Sequence, residues 1–157
     1  PFQVIMVPLF LEVYKMGMYD NFAGLIIPNL GAAMTVFMTR ASFAGLPKEL
    51  EEAARIDGLS EFGIFWKIML PLVKPTVVTV IVLGINGAWN DLMWPLIVNT
   101  KLDMLTLSSG LSTLRGQFSV NYPNLMAGSV LAMVPMIVIY LIFQKQFIEG
   151  IAMTGGK

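Results

Sequence analysis

The spacing of the charges most limits what this chain can fold into. Residues 21–39, 75–90 and 116–144 contain no Asp, Glu, Lys or Arg, whereas ten of the twenty charges fall between Arg40 and Lys74. An α-helix rises about 1.5 Å per residue, so roughly 20 apolar residues cross the hydrocarbon core of a bilayer. Three spans are read from these stretches, at about 22–40, 76–98 and 124–144. Phe2–Tyr14 is also apolar but short. It carries Pro8 and Glu12 and reads as a span cut off at its start or broken near Pro8. The expected fold is an all-α polytopic membrane bundle of about four spans, forming one domain over residues 1–157. β-Barrel strands are shorter and alternate in polarity, which these runs do not.

Composition agrees: 56% of the residues are hydrophobic and 13% charged, where soluble domains run near a quarter charged. Ten basic and ten acidic residues give a formal net charge of zero, which disfavours nucleic acid as a partner. The absence of Cys and His removes disulfides, thiolate metal sites, the Cys nucleophile and the commonest general base, so hydrolytic and redox chemistry is disfavoured and no cofactor is expected. The twelve Met residues fit pliable apolar packing better than metal binding. The chain opens at Pro1 with no basic segment or cleavage site, so it reads as a piece of a longer protein without a signal peptide.

Basic residues near span ends are retained on the cytoplasmic side. Arg40, Lys48, Arg55, Lys67, Lys74, Lys145 and Lys157 fall on one side of the expected spans, and Lys15, Lys101 and Arg115 on the other. The loop at 44–75 and the tail at 145–157 are therefore expected in the cytoplasm.

Within that loop, Pro47 suits a first helical turn, because its missing N–H would have no partner there. Glu49, Glu51 and Glu52 follow near the positive end of the helix dipole. Leu50, Ala53, Ala54 and Asp57 share a face at helical spacing, small in its middle. Gly58 is placed to end the helix in a left-handed turn, and Ser60 to cap a second short helix through Lys67. Pro71 and Pro75 are expected to break the run. A capped helical hairpin of this kind suits docking by a soluble partner; a solvated linker between spans is the plainer reading.

Glu52-Ala53-Ala54, then Gly58, then Ile68, Met69, Leu70 and Pro71 resemble the "EAA" signature of bacterial ABC importer permeases. "EEAARIDG", "WNDLMWPL" and "FIEGIAMTGGK" resemble its carbohydrate-uptake branch, permeases of the maltose-transporter type, over almost the whole chain. The resemblance implies a bacterial inner-membrane permease, truncated at its N-terminus, whose loop is a coupling helix docked in a cleft of an ATP-binding subunit. Glu52, Ala53, Ala54 and Gly58 would make or shape that contact, within a motif that includes Arg55, Asp57, Ile68, Leu70 and Pro71. The implied partners are a homologous permease, two ATP-binding subunits, an extracytoplasmic solute-binding protein, a small sugar-like or polyol solute and the lipid bilayer.

Asn86, Asn90 and Trp94 recur every four residues, flanked by Trp89 and Asp91. Polar groups at membrane depth are costly unless they face protein or water. Amides, a carboxylate and indoles also match sugar recognition, so a pathway lining is one reading. An interfacial aromatic belt and hydrogen bonding between helices are the others. Gly84 with Ala88 and Gly128 with Ala132 allow close helix crossing, and Pro28, Pro95 and Pro135 are expected to bend their helices. "TGGK" at the end lacks the first Gly of a phosphate loop and the hydroxyl after Lys, so ATP binding is expected on another polypeptide. Two rival readings stay open: a membrane scaffold that docks a soluble partner without passing solute, and an intramembrane enzyme built on Asp91.

Overall fold

The computed structural model describes residues 1–114 and 121–155, with side chains described as far as Lys145. Arg115, Lys157 and the tail side chains beyond Lys145 lie outside the described residues. All regular structure among the described residues is helical. The order is α1 (Phe2–Lys15), α2 (Phe22–Ile26) prolonged by a 3-10 turn (Ile27–Asn29), α3 (Ala33–Ala44) and α4 (Lys48–Ile56). α5 (Glu61–Ile64) then runs through a π turn (Phe65–Met69) into α6 (Leu70–Leu72), followed by α7 (Lys74–Asn90) and α8 (Met93–Val98). A 3-10 turn (Leu102–Met104), α9 (Leu107–Thr113) and α10 (Tyr122–Gly155) complete the described chain.

Two compact units are interleaved in sequence. The first comprises Pro1–Leu30 and Ile85–Ile142, the second Gly31–Gly84 and the segment from Phe143. In the first, α8 packs against α1, α2 and α9, and Val13, Trp94 and Val98 form a core flanked by Phe2, Met6, Leu9, Phe10, Met18 and Leu25. A Cβ on Gly24 would collide with the Met18 carbonyl oxygen and with Val98 Cγ1, so only glycine fits where α2 meets α8. Asp20, in left-handed backbone at φ 52°, ties the turn after α1 to the segment after α8. Its carboxylate accepts from the Thr100 and Lys101 amides and the Thr100 hydroxyl, and the Thr100 amide in particular holds it below the ordinary Asp range.

In the second unit, buried Ala54, Ile64 and Met69 are packed by Phe43, Leu46, Leu59 and Ile68. Ser42 and Thr76 hydroxyls join α3 to α7 at 2.7 Å.

Four spans are not evident. One helical stretch, Tyr122–Lys145, is long and apolar enough to cross a bilayer alone; the number rises to three if Phe22–Asn29 with Ala33–Ala44, and Glu61–Leu72 with Lys74–Asn90, each form one broken span. Two interruptions are local. The run expected at 76–98 is interrupted after Asn90, leaving α7 with 17 residues. The run expected at 22–40 is interrupted after the Pro28 turn.

The prolines act less as bends than as boundaries. Pro28 sits in the 3-10 turn, and Pro95 lies buried in the first turn of α8, where it gives up no intrahelical bond. The non-helical residue inside α10 is Phe143 (φ −112°, ψ 20°), not Pro135. Of the small pairs, Gly128 faces Leu111, whose side chain would clash with any Cβ there, whereas Gly84 faces open space.

Candidate functional site

The charged loop folds as a closed hairpin. Pro47 sits in extended backbone (φ −62°, ψ 130°) immediately before α4, as its cap residue and not within its first turn. At the other end Gly58 adopts φ +82°, which lets the Gly58 N–H reach the Arg55 carbonyl and the Leu59 N–H reach the Ala54 carbonyl, each at 3.0 Å. This is a Schellman closure: two otherwise orphaned carbonyls are satisfied and Leu59 is delivered onto buried Ala54. Ser60 then accepts from the Gly63 amide at 3.2 Å and starts α5.

The helical run after Ser60 extends past Lys67 to Leu72, through Pro71. Proline has no N–H for the carbonyl four residues back, and its ring clashes with that carbonyl. The π turn at Phe65–Met69 absorbs this by slipping the ladder one residue, so that the Leu70 N–H reaches the Phe65 carbonyl. The run ends at Val73 (φ −92°, ψ 7°), and α7 leaves at 75° to Glu61–Leu72.

The face shared by Leu50, Ala53, Ala54 and Asp57 is divided. Ala54 is 3% exposed, packed on Ile64 and Met69, while Leu50, Ala53 and Asp57 are open to solvent. The curvature of the hairpin claims the small residue nearest its own second helix. The outward surface therefore holds Glu52, Ala53, Asp57 and Ile56, the last 87% exposed. Of the motif's distal part, Met69 is buried, Ile68 and Leu70 half-buried and Pro71 exposed.

Arg55 clamps the hairpin. Its Nε and Nη2 donate to the two carboxylate oxygens of Glu61 at 2.6 and 3.0 Å, and Nη2 also reaches Glu51 at 3.4 Å. Such a two-pronged geometry fixes orientation as well as distance. The Arg55 hydrogen bonds hold the Glu61 carboxyl below its ordinary value, and Glu61 holds Arg55 firmly protonated. The six-residue spacing of this pair matches no helical repeat; it exists because the chain reverses at Gly58.

The polar stripe is shorter than its four-residue spacing implies. Asn86 and Asn90 do share a side of α7, where the Asn90 amide donates to the Asn86 carbonyl at 2.9 Å and to its Oδ1 at 3.1 Å. The helix then stops, and Trp94 lies on α8. Trp94 is 1% exposed, meets Phe2 edge-on, and its indole N–H donates to the Gly24 carbonyl at 3.0 Å. It is a core residue. Asp91 lies in the break, with Oδ1 3.4 Å from the Trp94 amide in the first turn of α8. Half-buried Trp89 donates to the Ala132 carbonyl of α10 at 3.1 Å. Ser108 on α9, which carried no sequence signal, donates to the Trp89 carbonyl at 2.8 Å and so satisfies a group that the end of α7 exposes. Among the described residues no group of three His, Cys, Asp or Glu is placed to hold a metal ion.

A family model described as "Binding-protein-dependent transport system inner membrane component" matches residues 1–152. The chain belongs to that family. Among relatives of this inner membrane component, the arabinooligosaccharides transport system permease protein AraQ of Halalkalibacterium halodurans is 43% identical over all 157 residues, which cover 56% of its own length. The sn-glycerol-3-phosphate transport system permease protein UgpE of Shigella flexneri is 33% identical over 96% of this chain and 54% of its own. A solved bacterial ABC transporter "involved in the import of the acidic polysaccharide alginate" superposes with a TM-score of 0.77 at 27% identity, covering 88% of this chain and 55% of that one. The chain thus spans little more than half the length of these members of the family, and its all-α fold is that of an ABC importer permease.

Proposed function

We propose that this chain is the larger part of a permease subunit of an ATP-driven importer for a sugar or polyol-like solute, working in the bacterial inner membrane. The residue 44–75 hairpin is its cytoplasmic coupling element, gripped by an ATP-binding subunit. A homologous permease completes the pathway, two ATP-binding subunits drive it and an extracytoplasmic solute-binding protein delivers the solute. In this reading α1, the broken α2–α3 run, α7 with α8, and α10 make four crossings, which leaves the hairpin and tail in the cytoplasm. ATP hydrolysis belongs to the partner chains.

The observation that carries the reading is the closed hairpin: Gly58 and Arg55–Glu61 fix α4 while Glu52, Ala53 and Ile56 stay exposed. A docked helix transmits motion only if it binds the closed ATPase pair better than the open one. A floppy loop would lose that difference in reordering itself. Asn86, Asn90 and Asp91 are proposed to line the pathway, with Trp89 and Trp94 holding the neighbouring helices.

The test uses the absence of Cys. Single Cys residues placed by Ala53→Cys and Ile56→Cys in the full-length protein should crosslink to a co-expressed ATP-binding subunit, more strongly in one nucleotide state than in the other. No crosslink at either position, or labelling of both by an impermeant reagent from outside, refutes the coupling role. Asn86→Ala with Asp91→Ala should abolish solute flux while the complex still assembles; a scaffold would keep its behaviour.

A further inference from the structure

The second helix of the hairpin carries a surface distinct from the Glu52, Ala53 and Ile56 face proposed for coupling. Phe62 is 73% and Trp66 53% exposed, yet they belong to a connected run of rings: Phe62 meets Trp66 at 6.0 Å, Trp66 meets Phe65 at 5.4 Å, and Phe65 stacks on Phe43 at 5.8 Å. Phe43 lies in the last turn of α3, so the rings join the end of one apolar helix to the foot of the next. α7 rises from this foot at 75°. With α7 along the bilayer normal, the Glu61–Leu72 segment lies close to the membrane plane. α4 carries Glu49, Glu51 and Glu52 beside Lys48 and Arg55, with Arg55 held by Glu51 and Glu61, whereas the foot is flanked by Arg40, Lys67 and Lys74, none of them in an ion pair among the described residues. The one acid of the foot, Glu61, is occupied by Arg55.

We infer that the foot, Phe62–Trp66 with Lys67 and Lys74, is a bilayer-interface anchor that inserts its exposed rings among phospholipid headgroups and upper acyl chains on the side of the membrane where the hairpin lies. Rings with apolar bodies favour this zone, and flanking lysines can reach anionic headgroups while their stems stay apolar. The anchor gives the hairpin a fixed footing: α4 is held off the membrane while the turn at Val73 rests on it. This rests on the reading of α7 as a span.

The experiment is depth-dependent quenching in the full-length protein, reconstituted in nanodiscs that contain anionic lipid. Single Cys residues made by Phe62→Cys, Ile56→Cys and Ile81→Cys carry an environment-sensitive fluorophore. Lipids brominated near the headgroup should quench the label at position 62 several-fold more than at position 56, and lipids brominated deep in the chain should quench position 81 most. Unquenched label at 62 with quenched label at 81 overturns the anchor and leaves the span intact. Unquenched label at 81 overturns the span and the anchor with it. Quenching at 62 that vanishes when the ATP-binding subunits are added assigns the rings to that contact instead and also overturns the anchor. Native Trp66 emission, read as the quenching lost on Trp66→Phe, repeats the measurement without a label and should show the same shallow preference.

Discussion

Replacing Gly58 by alanine isolates one term of the hairpin's stability. A Cβ built at Gly58 meets no atom within 4 Å, so substitution adds no collision. What remains is the backbone, since φ is +82° there and the left-handed conformation costs an L-residue about 1–2 kcal/mol. That free energy corresponds to a factor of about 5–30 in an opening equilibrium. The amides of residues 58 and 59 report it directly, because they donate to the carbonyls of Arg55 and Ala54 at 3.0 Å. Hydrogen exchange followed by mass spectrometry, under conditions where rates report opening equilibria, should show these two amides exchanging about 5–30-fold faster in Gly58→Ala. Amides in the middle of α10 should be unchanged. Gly58→Asn should lie between, because Asn tolerates the left-handed region. Equal rates for Gly58→Ala and the native chain, or faster exchange in Gly58→Asn than in Gly58→Ala, would refute the argument.

Three other outcomes follow from the same structure. Arg55 lowers the Glu61 carboxyl below its ordinary value of 4.5, so the clamp's stabilisation is complete above that value and is lost as pH falls through the lower folded value. Hairpin protection, corrected for intrinsic exchange, should hold between neutral pH and the ordinary value and then decline, a decline absent in Glu61→Gln. Trp94→Phe leaves the buried Gly24 carbonyl without its donor and should cost about 1–3 kcal/mol, read as a lower unfolding midpoint in detergent; an unchanged midpoint would show that the indole bond is not needed. Gly128→Ala drives a methyl against Cδ2 of half-buried Leu111, which must turn aside, and should destabilise by about 1 kcal/mol. Adding Leu111→Ala should recover part of the loss, and a double variant no more stable than Gly128→Ala alone would rule out the clash.

Local signals were legible. Gly58 and Ser60 act within a few residues of themselves, so their roles could be read from residue type and position, and the long uncharged run ending near Gln144 reads directly as the apolar stretch of α10. What stayed hidden depends on partners distant in sequence. Trp94 is a core residue because Gly24 lies 70 positions earlier, and the Asp20–Thr100 tie spans 80. Hydropathy sums composition and so passed over the break at Asp91 and Leu92, where the helix stops although the apolar run continues. The four-residue spacing of Asn86, Asn90 and Trp94 assumed an unbroken helix, and Trp94 fell out of the stripe once that assumption failed. The Arg55–Glu61 clamp needed knowledge of a chain reversal that only the folded hairpin supplies.

The interleaving of the two units has a consequence for biosynthesis. The core of the first unit joins Val13 to Trp94 and Val98, and the intervening stretch Gly31–Gly84 belongs to the other unit. The 70 residues between Gly24 and Trp94 take roughly 4–14 s to emerge at about 5–20 residues per second. Throughout that interval Val13 lacks Trp94 and Val98, and the Gly24 carbonyl waits for its indole. The α1–α2 segment thus completes its core only after the whole of Gly31–Gly84 has been made.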